Sequence, residues 1–312
     1  MVNNQGEISE STRFRVQEAI NELGYRPNSV ARSLVSGQTH SIGLIIPRIT
    51  DPFFPEVVLG VESIAYKHQF RVFLCNTESQ EKREVEYIDS LIGKRVDGII
   101  ICGTCLDEEQ FGQIAENIPI SLSAVSTPKQ SAVIHIQVEE GMHAITSHII
   151  NLGHKHIGYI SDNELDKHKP RLGAFRKTLY EHHLIDNAIE DDAADNVTDE
   201  GYRLALKLLH RQPDLTAIVC NGDPLAIGAI HACQEMGLRV PKDIAVTGFD
   251  DIDLAVLAHP LLTTIHVPRH RLGEMLAEML FNQISSKERH KSVVELLVEL
   301  IIRESCGAKV QG

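Results

Sequence analysis

From Ser41 onward the chain alternates short apolar runs with amphipathic stretches of helical period, and few folds accommodate that pattern. "SIGLIIP" (41–47), "RVFLCNT" (71–77), "DGIIICG" (97–103) and "PISLSA" (119–124) are too apolar for strands wetted on one face. Helical patterns at Phe54–His68, Glu81–Lys94 and Glu108–Asn117 separate them, and "EEGMHAITSHIINLGH" (139–154) is another amphipathic helix, stopped by Gly153. The series then restarts with "HIGYISD" (156–162), "TAIVCNG" (216–222) and "IAVTGFD" (244–250). Helices around Arg171–His182, Glu200–His210 and Pro224–Met236 accompany these strands. Repeated βα units dictate parallel sheets with right-handed crossovers, and two series dictate two lobes. After "HPLLTTIHVP" (259–268) come one more helix, Arg269–Gln283, and a final apolar strand, "SVVELLVELIIRES" (292–305). Such a tail suits a chain that crosses back between the lobes before it ends.

The 312 residues give room for two compact lobes. A net charge of -13 repels nucleic acid and anionic membrane, so any DNA contact has to come from a local element. No apolar run approaches the roughly 18 residues of a membrane span. "MVNNQGEISE" has neither the basic nor the apolar region of a secretory leader. With six cysteines in no dense spacing pattern, free thiols and a cytoplasmic location are expected, and "CGTC" (102–105) is weak as a metal or redox signal. Sixteen histidines include "GHKH" and "EHH", but none shows the i, i+4 spacing with a glutamate that a zinc enzyme uses. No GxSxG, Walker loop or GxGxxG precedes a helix. The chain is therefore expected to be no enzyme and to need neither metal nor cofactor.

Ahead of the first strand lies "ELGYRPNSVARSLVSGQTHSIGLIIP" (22–47). Pro27 fixes the entry of a short helix, Asn28 or Ser29 can cap it, and Gly37 ends it. At about nine residues it is too short to persist alone in water. The residues by themselves leave two roles open: a linker whose Leu34 packs on the sensor, or a DNA-contacting hinge.

With its continuation "RITDPFFPEV", this stretch is followed by "INLGHKHIGYI", "RLGAFRKTL", "CNGDPLAIGAI", "VPKDIAVTGFDDIDLAVLAHPLLTTIHVP" and "ELIIRES". In this order the phrases resemble the LacI/GalR family of bacterial transcription regulators nearly end to end. The resemblance implies an α/β, two-lobed sensor like a periplasmic binding protein, with two parallel sheets flanked by helices, preceded by an all-α headpiece and hinge helix. It divides the chain into 1–27 (partial headpiece), 28–40 (hinge and linker), 41–153 plus 263–284 (first lobe) and 154–262 plus 285–312 (second lobe). It also implies a homodimeric repressor controlled by a small effector, often a sugar or a nucleobase, held between the lobes, and a sugar or sugar derivative is the effector expected here. In the hinge it assigns Asn28 to the DNA-contacting segment, Ala31 to close approach of the paired helices and Leu34 to a minor-groove wedge, with Arg26 and Arg32 on phosphates. The phrase that normally ends the family's recognition helix stands here at 2–6 ("VNNQG"), so the chain as given is expected to hold operator DNA weakly or not at all. A solute-binding receptor of the same fold is the alternative, against which the hinge and the missing leader weigh.

Open parallel sheets bind ligands outside the carboxyl ends of their strands. The candidates there are Phe53 and Phe54, Thr104, Arg171, Asp223 and Asp250. Adjacent aromatics opening a helix also suit a core, an arginine also suits a surface ion pair, and Asp223 also suits a helix cap. Asp250 ends a buried strand, where a carboxylate is costly unless paired. The resemblance assigns Arg171 and Asp250 to the effector. Gln137 and Val138 replace an aspartate–asparagine pair that many members carry, which leaves the effector's identity open.

Overall fold

The structure, a computed structural model, describes residues 9–22, 37–106, 108–123, 132–161, 170–185, 188–192, 196–286 and 292–308. Helix α1 (Glu10–Glu22) precedes the sensor. The hinge candidates Arg26, Asn28, Ala31, Arg32 and Leu34 lie outside the described residues.

The first βα series runs β1 (Ser41–Ile46), α2 (Phe53–Lys67), β2 (Arg71–Asn76), α3 (Glu81–Gly93), β3 (Gly98–Cys102), α4 (Glu108–Ala115), β4 (Ile120–Ser123) and β5 (Ala132–Ile136). The second runs α5 (Val138–Asn151), β6 (Ile157–Ser161), α6 (Pro170–Glu181), β7 (Ala188–Asp192), α7 (Thr198–Arg211), β8 (Ala217–Cys220), α8 (Asp223–Glu235) and β9 (Ala245–Thr247). The chain closes with β10 (Thr264–His266), α9 (Arg269–Ser285), β11 (Ser292–Leu296) and β12 (Glu299–Ile301).

Two parallel sheets result, with orders β11-β5-β4-β3-β1-β2 and β7-β6-β8-β9, and a small antiparallel pair, β10-β12, lies with the second. Strands β1, β3 and β6 are buried along their whole length because helices cover both faces, which is why they read as unbroken apolar runs. One core cluster is continuous across both lobes, joining Ile42 and Leu44 of β1 to Tyr159 of β6 through helices α2, α5, α6 and α9.

The lobe boundaries read from sequence differ from the packing in three places. Strand β10, placed with the first lobe in 263–284, pairs with β12 and bridges to the second sheet at Thr247↔Thr263 and Asp250↔His266. Helix α5, placed with the first lobe, docks on the second: a side chain at Gly141 would meet Phe249, Ile265 and Val298, and His143 Nδ1 lies 3.0 Å from Thr178 Oγ1 of α6. Strand β11, placed with the second lobe, pairs with β5 in the first. The apolar run 292–305 is therefore two strands, broken where the chain leaves one sheet for the other. The three crossovers fall between β5 and α5, between β10 and α9, and between β11 and β12.

Candidate functional site

In both sheets the strand order reverses about the first strand of the series. The switch points, β1/β3 and β6/β8, are where ligands enter open sheets. Asn221 follows β8 at the second of these, almost fully buried, and its Oδ1 accepts the Tyr159 hydroxyl at 2.7 Å. Its carbonyl accepts Arg171 Nη1 at 2.5 Å. Arg171, the second residue of α6, holds its guanidinium carbon over the Phe249 ring, 4.0 Å from the centroid, and sends Nη2 to Asp250 Oδ1 at 3.2 Å. The surface ion pair that the sequence left open for Arg171 is thus an inward one, with the carboxylate 5% exposed.

Asp250 sits in a strained turn. It and Asp251 have φ of 99° and 52°, in the region that disfavours side chains, at a cost of about 1–3 kcal/mol each. Asp250 N–H donates to the Ile265 carbonyl at 2.9 Å. The Asp251 carboxylate takes Arg303 Nη2 at 2.7 Å on one oxygen and His266 Nδ1 at 2.9 Å on the other. Burial raises the Asp250 carboxyl above its usual range, against the opposing pull of Arg171 and Arg269. Its Oδ2 accepts no hydrogen bond from the described residues.

Asp223 is what holds this turn. It is fully buried; Oδ1 accepts the Thr264 hydroxyl at 2.5 Å and Oδ2 accepts Ile252 N–H at 2.8 Å. Gly248 has to lack a side chain because a Cβ there would stand 2.2 Å from Asp223 Oδ1. With both oxygens committed, Asp223 supports the Asp250 turn from behind. It neither lines the cleft nor caps its helix through its side chain. Burial first, and then the neighbouring Asp250, push its carboxyl well above the usual range. A raised carboxyl contributes stability that is complete below the unfolded value, about 4, and is lost as pH climbs through the folded value. Asparagine has no such dependence. The stability deficit of Asp223→Asn is therefore expected to be largest near pH 4 and to narrow toward pH 8. Urea titrations across that range check this, and a constant deficit overturns it.

Thr104 is likewise spoken for. Its hydroxyl donates to Glu84 Oε1 at 2.5 Å, and Glu84 Oε2 accepts Cys105 N–H at 2.8 Å. Phe53 and Phe54 are half-buried, edge-to-face at 5.2 Å, and both pack on the continuous core. Asp51 sets the start of their helix by accepting Phe53 N–H at 2.9 Å.

Sequence reasoning missed Asn196, which reaches between the lobes. Its Nδ2 donates to Asp51 Oδ2 at 3.4 Å, while its buried Oδ1 has no hydrogen-bond partner among the described residues. It fills the space a side chain at Gly222 would need, with Oδ1 2.5 Å from that Cβ position. Nothing periodic marks a lone loop asparagine; the glycine opposite it is the one sequence-level hint. The structure thus brings Arg171, Asp250, Asn196 and Asn221 together around the second switch point. These groups can donate and accept hydrogen bonds but include no nucleophile–base pair, and no three His, Cys, Asp or Glu among the described residues are placed to hold a metal.

The periplasmic binding protein-like domain family matches residues 146–306. The HTH-type transcriptional repressor PurR of Aliivibrio salmonicida (strain LFI1238) is 34% identical over 311 residues, spanning 98% of this chain and 93% of that protein. The lac repressor dimer bound to operator and the anti-inducer ONPF superposes with a TM-score of 0.88 at 27% identity, over 98% of this chain and 93% of that one. The chain belongs to the LacI/GalR family. The transcriptional regulator CelR in complex with cellobiose superposes with a TM-score of 0.76 at 25% identity over 97% of this chain and 93% of that one. The LacI/GalR membership bears out the two-lobed α/β fold expected from the βα series and makes the chain a transcriptional repressor by kind. No helix of the described residues is long and apolar enough to cross a membrane.

Proposed function

We propose that this LacI/GalR repressor binds a sugar or sugar derivative between its lobes and couples occupancy to operator binding as a homodimer. The observation that carries the reading is the buried Arg171–Asp250 pair at the second switch point, with a carboxylate oxygen left over for a ligand. A planar guanidinium and a carboxylate grip vicinal hydroxyls from two sides. The unpartnered Oδ1 of Asn196 adds an acceptor, and Phe53 adds an apolar face from the first lobe. The cellobiose bound by CelR is of the same chemical class.

Coupling to DNA runs through the connector ahead of β1. Asp97 pins it, accepting Thr39 N–H at 3.1 Å, the Thr39 hydroxyl at 3.1 Å and Ser41 N–H at 3.2 Å, so the hinge follows the first lobe. In the hinge, Arg26, Asn28, Ala31, Arg32 and Leu34 meet the operator. Dimerisation is supported by apolar surface. Edge strand β2 exposes Phe73 and Leu74, and the 3-10 turn with its following residue exposes Leu254, Val256 and Leu257 beside a cavity of about 290 Å³ lined by Ile227 and Ile230.

A thermal-shift screen of sugars, sugar acids and nucleobases tests the effector. One sugar class is expected to raise the parent's unfolding midpoint by mass action and to raise that of Asp250→Asn clearly less at the same concentration. A nucleobase response, or equal shifts in parent and variant, overturns the reading.

A further inference from the structure

Arg269, the first residue of α9, stands immediately after the second crossover. Its side chain is 9% exposed, an unusual burial for an arginine. Helix α9 is fixed to the first lobe. A side chain at Gly273 would lie 2.1 Å from the Val57 carbonyl of α2, and one at Gly60 would lie 2.1 Å from the His270 carbonyl, so the two helices meet backbone to backbone. Strand β4 binds α9 as well, through Ser121 Oγ to the Leu276 carbonyl at 2.8 Å and Gln283 Nε2 to the Ile120 carbonyl at 2.7 Å. The Arg269 guanidinium therefore moves with the first lobe.

Its two arms point to different lobes. Nη1 donates to the Pro52 carbonyl at 3.2 Å, one residue before Phe53 in the first lobe. Nη2 donates to the Asp251 carbonyl at 3.0 Å and to Asp253 Oδ1 at 3.2 Å, both in the second lobe. Asp251 follows Asp250 directly, and its own carboxylate is tied to His266 and Arg303 beside the other crossing segments. One planar fork thus joins the two cleft loops from behind, beside the segments that cross between the lobes.

We propose that Arg269 is a positioning residue, an inter-lobe clasp that holds the lobes together in the absence of ligand and links the Pro52–Phe53 loop to the Asp250–Asp251 turn. The proposal deepens the reading of the cleft as the regulatory site. The two carbonyl bonds are the clasp, while Asp253, 86% exposed, adds a screened surface contact. Lysine can replace the charge but not both arms, because an ammonium is a point donor with no planar fork.

The test is the inter-lobe distance distribution of the ligand-free protein, by pulsed electron spin resonance. Genetically encoded spin labels replace the exposed Lys67 and Lys177, and labelled protein is diluted into excess unlabelled protein so that one copy per dimer is read. Arg269→Met keeps the apolar stem and is expected to lengthen and broaden the distribution with the unfolding midpoint near the parent's. Arg269→Lys is expected to fall between the two, and Asp253→Ala to match the parent. Parental distances in Arg269→Met overturn the clasp, as does an Asp253→Ala variant that opens as far. Should Arg269→Met fail to fold, Arg269→Lys decides alone, and parental distances in it overturn the proposal. Because no ligand is present, a negative result removes the clasp and leaves the effector reading untouched.

Discussion

Arg171→Ala is expected to cost the sensor about 3–5 kcal/mol of folding stability, the range for breaking a buried pair by deleting one partner. Alanine leaves the buried Asp250 carboxylate with its nearest cation gone, and bares the Phe249 ring beneath the guanidinium. Asp250→Asn should be far milder. It leaves Arg171 on the Asn221 carbonyl and the Phe249 face, and asparagine buries no charge. Adding Asp250→Asn to Arg171→Ala should therefore recover much of the loss, and a double-mutant cycle by urea unfolding at pH 7 measures this coupling. The Arg171→Ala deficit should also shrink in acid. Burial already raises the Asp250 carboxyl, and without the opposing pull of Arg171 it takes up its proton at higher pH still. Additive single-variant costs, or a deficit flat with pH, would show that the pair is not the unit described. For ligand binding, either single change should lose about one to two decades of affinity, the worth of about 1.5–3 kcal/mol for a charge-assisted hydrogen bond.

The strength of that pair explains why part of the site is legible in the sequence. A carboxylate closing a buried strand demands a partner, so Asp250 announces itself, and an arginine opening the helix after β6 is within reach of it. Thr104 and Asp223 carry the same kind of signal but are used inward. Their partners, Glu84 and Thr264, stand 20 and 41 residues away, and no local spacing reveals such a pairing. Asn196 and Asn221 are invisible for the opposite reason: a neutral amide in a loop breaks no periodicity. The apolar strands read well because burial on both faces leaves no alternation to confuse them. The tail misleads because 292–305 is continuously apolar while its two halves belong to different lobes, and only sheet pairing shows where the run divides.

The largest steric effects should come from glycine, with a sign set by what stands opposite. In the second lobe, α7 and α8 approach as closely as α2 and α9 do in the first. A Cβ at Gly228 would lie 2.0 Å from the Thr198 carbonyl and 2.6 Å from Tyr202 N, and one at Gly201 would lie 2.1 Å from the Leu225 carbonyl. Backbone cannot step aside as a flexible side chain can. Gly228→Ala or Gly201→Ala must therefore push the helices apart, at a cost of about 1–3 kcal/mol or more for overpacking. Gly112 in α4 and Gly173 in α6 have nothing among the described residues within 4 Å of the same position. There alanine brings only the helix-propensity gain, about 0.5–1 kcal/mol in favour of folding. The same one-carbon change should thus destabilise at 201 and 228 and stabilise at 112 and 173, read as shifts in urea midpoint at constant slope. A uniform sign across the four would mean that the close contacts relax. The consequence reaches the switch. If each lobe is locked by a glycine-seamed helix pair, α2 with α9 and α7 with α8, neither lobe can deform to relay a signal. Relative motion is then confined to the three crossovers, where the Asp250–Asp251 turn and Arg269 lie.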